Sequence, residues 1–169
     1  MRKQSGFTTI ELLVVVVILG GLMAIGIPNY LQYVPRARLR NAARDLYSEL
    51  QLAKMAAIKV NDTCTVTYAP GTYTISYNIN IAGVSTPRSK TINLADYKSG
   101  VNFVVPPGGS VAFDSAMIQF NSRGLRDLPV AGVNAYAYLS NNGNTGYYRV
   151  GPLISGVVQL HKYGGSSWP

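Results

Sequence analysis

Phe7-Thr8-Thr9-Ile10-Glu11-Leu12-Leu13-Val14-Val15-Val16-Val17-Ile18-Leu19-Gly20-Gly21-Leu22-Met23-Ala24-Ile25-Gly26-Ile27 carries one charged side chain, Glu11, in twenty-one positions. As an α-helix this stretch rises about 31 Å, close to the roughly 30 Å hydrocarbon core of a bilayer. Twelve Leu, Ile and Val residues between Ile10 and Ile27 contribute roughly −4 to −7 kcal/mol on the insertion scale. A carboxylate at the centre of a span costs about 3 kcal/mol, and less near an end, so the segment should insert despite Glu11. Charge alone leaves the orientation open. Arg2 and Lys3 favour a cytoplasmic N-terminus, whereas Arg36, Arg38, Arg40 and Arg44 beyond the span pull the other way.

Working outward, apolar residues recur at Leu39, Ala42/Ala43, Leu46, Leu50, Ala53, Ala57 and Val60, in steps of three and four that mark one face of a helix. With the span, this predicts a nearly continuous helix from about Phe7 to Val60, roughly 80 Å long. Gly20, Gly21, Gly26, Pro28 and Pro35 should weaken or kink its first half. Asn61-Asp62 ends the helix, and the pattern then changes. Thr63–Ala69 and Thr72–Asn80 flank the turn signal Pro70-Gly71 and read as a hairpin. Further strands are expected at Lys90–Leu94, Val101–Val105, Met117–Asn121, Ala135–Ser140, Tyr147–Val150 and Gly156–Leu160. Asn141-Asn142-Gly143-Asn144 should form a hairpin loop. No helical pattern separates these runs, so the sheet should be largely antiparallel, with the apolar stripe of the helix covering one face. The expected fold is an α+β ladle, a long helical handle and a β-rich head.

Composition bounds the rest. The chain has 169 residues, 47% of them hydrophobic and 13% charged, with a formal net charge of +8. That excludes a disordered chain and argues against a two-domain enzyme. One cysteine, Cys64, excludes an internal disulfide framework, and Cys64 with His161, the single histidine, falls short of a zinc site. No closely spaced acid pair, Gly-x-Ser-x-Gly or phosphate loop occurs, and Pro106-Pro107-Gly108-Gly109 lacks the Lys-Ser/Thr that a P-loop needs. No enzyme and no cofactor are expected.

Three readings compete for the N-terminus. A cleaved secretory signal fits the basic start and Ala24-Ile25-Gly26, but its apolar core should be shorter and lack an acid. A plain anchor leaves Glu11 without a purpose. The third takes Arg2-Lys3-Gln4-Ser5-Gly6-Phe7-Thr8-Thr9-Ile10-Glu11-Leu12-Leu13-Val14-Val15 as a unit, which closely resembles the class III leader of type IV pilins and type II secretion pseudopilins. The resemblance implies that a prepilin peptidase cuts between Gly6 and Phe7 and N-methylates Phe7. Thr9 departs from the family's usual Leu. The resemblance also implies a topology with the leader cytoplasmic and the bulk of the chain periplasmic, anchored by a single pass through a bacterial inner membrane. The chain then divides into a leader (1–6), a transmembrane helix (7–27), its periplasmic amphipathic continuation (28–60) and a β-rich head (61–169).

After such a cut, Phe7 carries a cationic amine, and Glu11 lies four residues on along the same helix face. An unpaired acid in hydrocarbon is costly and should find a cation. In the family, that cation is taken to be the terminal amine of a neighbouring subunit. The family also places helix flexibility in a Gly/Pro zone, here Gly20, Gly21, Gly26 and Pro28.

The head supports a narrower match. Phe113-Asp114 and Ile118-Gln119-Phe120-Asn121-Ser122-Arg123-Gly124 resemble the F-x-x-x-G stretch of the GspH/FimT group of minor pseudopilins and minor pilins. Arg36-Ala37-Arg38, Leu50-Gln51-Leu52-Ala53-Lys54 and Ala57-Ile58 look like that group as well. Cys64 should pack as a small hydrophobe at a strand start, the alternative being an intermolecular thiol in an oxidising periplasm. His161 reads as a strand or surface residue. The tyrosines in strand candidates read mainly as sheet packing. Removing the leader leaves thirteen basic against seven acidic side chains, many of the basic ones on the helix. In the head, Arg123, Arg126, Arg149 and Lys162 are candidates for nucleic-acid contact. Some FimT-like minor pilins bind DNA through a Gly-Arg-x-Arg element, but the matching Gly156-Val157-Val158-Gln159 lacks both arginines, so DNA is not the favoured partner.

The sequence thus reads as a minor pseudopilin of a type II secretion system, built into a periplasmic pseudopilus. The alternative is a minor type IV pilin in pilus priming, adhesion or DNA uptake. Expected partners are other pilin or pseudopilin subunits, the prepilin peptidase, the inner-membrane assembly platform and the lipid bilayer.

Overall fold

A computed structural model of the chain describes residues 8–81, 84–127, 135–143, 145–166 and 168. One helix, α1, runs Thr9–Val60, through all five of the Gly and Pro positions expected to weaken it. The chain divides into two compact units, one ending at Val34 and the other beginning at Pro35.

In the first unit the helix is long and apolar enough to cross a membrane, with a mean hydropathy of 2.7 over its most apolar window and no burial there. Leu12, Val16, Ile18 and Leu22 all stand exposed. Such a surface has no water-compatible partner within the unit, and a bilayer or neighbouring helices would have to cover it.

In the second unit, residues 35–60 of α1 bury the expected face: Leu39, Ala42, Ala43, Leu46, Leu50, Ala53 and Ala57. Each buried Leu is worth about 1.5–3 kcal/mol. The helix stops where Asn61 takes a left-handed φ of 53°. Asp62 N–H then reaches Ala57 O at 3.2 Å, and Asn61 N–H reaches Ile58 O at 3.3 Å. This pair of bonds satisfies carbonyls that the helix end would otherwise leave open.

The head is antiparallel throughout, but it forms two sheets where one was expected. The first has the order β3-β2-β1-β5-β6, from β1 (Cys64–Ala69), β2 (Thr72–Ile81), β3 (Val84–Asn93), β5 (Met117–Phe120) and β6 (Arg126–Asp127). The second has the order β4-β7-β8-β9, from β4 (Asn102–Phe103), β7 (Ala137–Ser140), β8 (Tyr148–Pro152) and β9 (Val158–Lys162). The hairpin around Pro70-Gly71 is present, with Ala69 paired to Thr72. The loop from Asn141 joins β7 to β8 as expected, although Asn144 lies outside the described residues. A short 3-10 helix, Leu94–Tyr97, follows β3.

β3 is longer than the Lys90–Leu94 segment read from the sequence. Its solvent-facing pattern has no apolar alternation to reveal it, and it survives by a continuous register against β2. Both sheets and the helix share one core. At its centre Tyr68 lies stacked on Phe113 (5.9 Å between ring centroids) and edge-on to Phe103 (5.5 Å).

Candidate functional site

Two regions carry the chemistry singled out above. The first is the start of α1. Gly6 and Phe7 lie outside the described residues, but Glu11 does not. Its Oε2 accepts from Thr8 N–H at 3.0 Å and from the Thr8 hydroxyl at 2.9 Å. In return the Thr8 hydroxyl accepts from Glu11 N–H at 3.3 Å. This is a reciprocal capping box, in which side chain and backbone at the first turn satisfy each other's polar groups. In an apolar medium, the box offsets part of the cost of Glu11 without neutralising its charge. Both Thr8 contacts fall on Oε2, so Oε1 carries no bond among the described residues, and a cation can approach it. Thr8 escaped the sequence reading, although Thr8-x-x-Glu11 before an apolar run is itself the signature of such a box.

The second region is the turn that resembled a family motif. Phe120 is fully buried at the end of β5. Asn121 Oδ1 accepts from Arg123 N–H at 3.0 Å and from Leu125 N–H at 3.1 Å, tying the following turn. Gly124 then takes φ 73° against the helix, where an added Cβ would lie 2.8 Å from Ile58 Cδ1 and 2.9 Å from Lys54 Cε. The β8–β9 turn closes on the same spot, and Lys54 Nζ donates to Gly156 O at 3.0 Å. The Phe–Gly spacing therefore holds a turn onto the helix and brings no reactive groups together.

Of the four cations considered for nucleic acid, two are engaged within the head. Arg126 is buried and donates to Pro152 O at 3.3 Å. Arg149 stacks on the ring of Tyr136 at 4.6 Å and of Trp168 at 5.0 Å. Only Arg123 and Lys162 are exposed. Val158, within the stretch matched to the family's DNA-binding element, is buried at the start of β9.

Cys64 is fully buried at the first position of β1, and burial pushes its thiol up to about 11. That is the packing role expected, and it removes the thiol from reach of another chain. His161 sits half-buried in β9, edge-on to Tyr136. Burial and the nearby Arg149 lower its pKa below the ordinary 6.5. Tyr68, Tyr73 and Tyr136 are buried, and Tyr138 donates to Asp114 at 3.0 Å, so these rings serve packing.

Comparisons with known proteins agree on the kind of molecule. The model of the family described as type II transport protein GspH matches residues 42–153. A fimbrial protein of Pseudomonas aeruginosa is 45% identical over 58 residues, covering 34% of this chain and 37% of that protein. Prepilin peptidase-dependent protein D of Escherichia coli is 39% identical over 66 residues, covering 38% of this chain and 45% of that protein. The chain thus spans less than half the length of these curated relatives. Two crystal structures of the type IV minor pilin FimU of Pseudomonas aeruginosa share the fold. Their TM-scores are 0.50 and 0.54, at 17% and 16% identity, covering 78% and 81% of this chain and 97% and 96% of those chains.

Proposed function

The chain belongs to the GspH family of type IV pilin-like proteins, and from that premise we propose that it is a minor pseudopilin of a type II secretion system. In this reading a prepilin peptidase cuts between Gly6 and Phe7 and methylates Phe7. The apolar half of α1 first anchors the chain in the inner membrane, with the head in the periplasm, and then packs beside other pseudopilin helices as the assembly platform draws subunits into a filament. Glu11 neutralises the terminal amine of a neighbouring subunit. Gly20, Gly21, Gly26 and Pro28 lower the cost of loosening the helix as it leaves the bilayer.

The observation that carries the assembly role is Glu11 itself, and the match to the family of type II transport protein GspH is what supports the secretion machine. Glu11 is the one carboxylate in the apolar stretch from Phe7 to Ile27, and its capping box leaves one oxygen accessible. A span that served only as an anchor would gain from a neutral residue there.

A second reading, a minor type IV pilin, is supported by the fold shared with FimU. Deleting the gene separates the two. Stranding of exported proteins in the periplasm, reversed by complementation, is the expected result. An unchanged set of secreted proteins with altered piliation would replace the first reading by the second.

A further inference from the structure

We infer that the open edge of β9, together with the Arg44 flank of α1, is a strand-addition site for an extended, acidic segment of another protein chain. β9 pairs with β8 on one side and, among the described residues, with no strand on the other. Its register fixes which backbone groups face outward. Tyr163 N–H bonds Tyr147 O at 2.9 Å and Leu153 N–H bonds Val157 O at 2.8 Å. Antiparallel ladders alternate bonded and non-bonded pairs, so between those two ends Gln159 and His161 spend their amides on β8. Val158, Leu160 and Lys162 then direct theirs away from it. Pro152, which has no amide to give, stands opposite Val158, as this alternation requires. Val158 is buried, Leu160 is half-buried and Lys162 is exposed, so an added strand would meet the outward groups of Leu160 and Lys162.

A groove of about 410 Å³ runs beside this edge, lined by Arg44 and Tyr47 of α1 and by Val158, Gln159, Leu160 and His161. Among the described residues no carboxylate lines it. The nearby acids of α1 are committed on another flank, Asp45 to the Tyr97 hydroxyl at 2.8 Å and Glu49 to Lys90. Arg44 is exposed on the groove side, and Lys162 is exposed at the end of β9. The occupant that satisfies both the backbone edge and the charge is a β-strand bearing Asp or Glu, bound by main-chain bonds and oriented by Arg44. The other long edge, β3, is blunted by Pro87, Arg88 and Lys90, as unpartnered edges commonly are.

The test uses the full chain in detergent micelles and two fluorescent peptides of equal charge. One alternates Val and Glu; the other has Pro in place of each Val and cannot add as a strand. The alternating peptide should bind at least about tenfold more tightly and slow amide exchange at Leu160 and Lys162. Arg44→Glu should weaken it about tenfold. Lys162→Pro, which removes an outward donor together with the side-chain cation, should weaken it more than Lys162→Gln, which removes the cation alone, and all three variants should melt like the parent. Equal binding of the two peptides, protection at β3 in place of β9, or no binding of either would overturn the inference.

Discussion

Gly124 and Gly156 share a left-handed φ of 73°, yet replacing them with Ala should have very different effects. The conformation alone costs an L-residue about 1–2 kcal/mol at either position. At Gly124 the new Cβ meets Ile58 Cδ1 and Lys54 Cε, the far ends of flexible side chains that can swing away. At Gly156 it would lie 1.9 Å from Gly124 O, and a backbone carbonyl moves only if the whole turn moves. Overpacking of that kind adds about 1–3 kcal/mol. Gly124→Ala should therefore cost about 1–2 kcal/mol and Gly156→Ala about 2–5 kcal/mol. For a unit of this size, that corresponds to melting shifts of about 4–8 °C and about 8–20 °C. The assay is near-ultraviolet circular dichroism of the full chain in detergent, which follows mainly the packed tyrosines and phenylalanines of the head, because residues 1–34 hold only Phe7, Tyr30 and Tyr33. Equal shifts for the two variants would refute the claim that the β5–β6 and β8–β9 turns are locked backbone to backbone.

Other expectations follow from single groups. Thr8→Ala removes the hydroxyl half of the capping box, worth about 1 kcal/mol. It should lower the fraction of subunit in filaments without abolishing it, while Thr8→Ser restores it; an unchanged fraction would remove Thr8 from the assembly step. Cys64 should resist thiol reagents in the folded chain and react once the head unfolds. Its folded pKa is raised from 9.0 to about 11, so the stability it contributes is fully present below 9.0 and lost as pH climbs towards 11. Rapid labelling of folded protein would contradict its burial. The pKa of His161 is lowered from 6.5. The unfolded chain therefore takes up that proton first, and stability present above 6.5 falls as pH drops through the folded value. Melting curves from neutral to mildly acidic pH should show this slope and lose it in His161→Gln.

Much of this architecture was legible in the residues because burial imposes a period. The face from Leu39 to Ala57 is apolar every three or four positions because it meets both sheets, and every one of those side chains is buried. β1 and β5 could be read for a related reason, since each buries alternate residues. The first half of β3 is solvated on both faces and contains Pro87, so nothing in its pattern distinguishes it from a loop. β6 is two residues long and holds its place by pairing Gln119 with Asp127 and Phe120 with Arg126, too short to show a period. The division into two sheets was hidden as well, because alternation shows which residues face a core but not which strands are neighbours. Arg126 read as a surface cation, but its guanidinium is carried inward to a carbonyl on β8, a contact between positions far apart in sequence. Glu11 was legible as an anomaly. Its bond to Thr8 follows from a local Thr-x-x-Glu motif that sits inside an apolar run and is masked by it.

The measurement that bears most directly on the proposed assembly role is the fate of Glu11→Ala beside the parent subunit. Both would be followed by terminal mass analysis and by their distribution between membrane and sheared filaments. The expected result is a variant that inserts, is cut after Gly6 and methylated on Phe7, yet remains in the membrane. A variant recovered in filaments at the parent level would contradict the account, because the Glu11 carboxylate would then have no part in assembly.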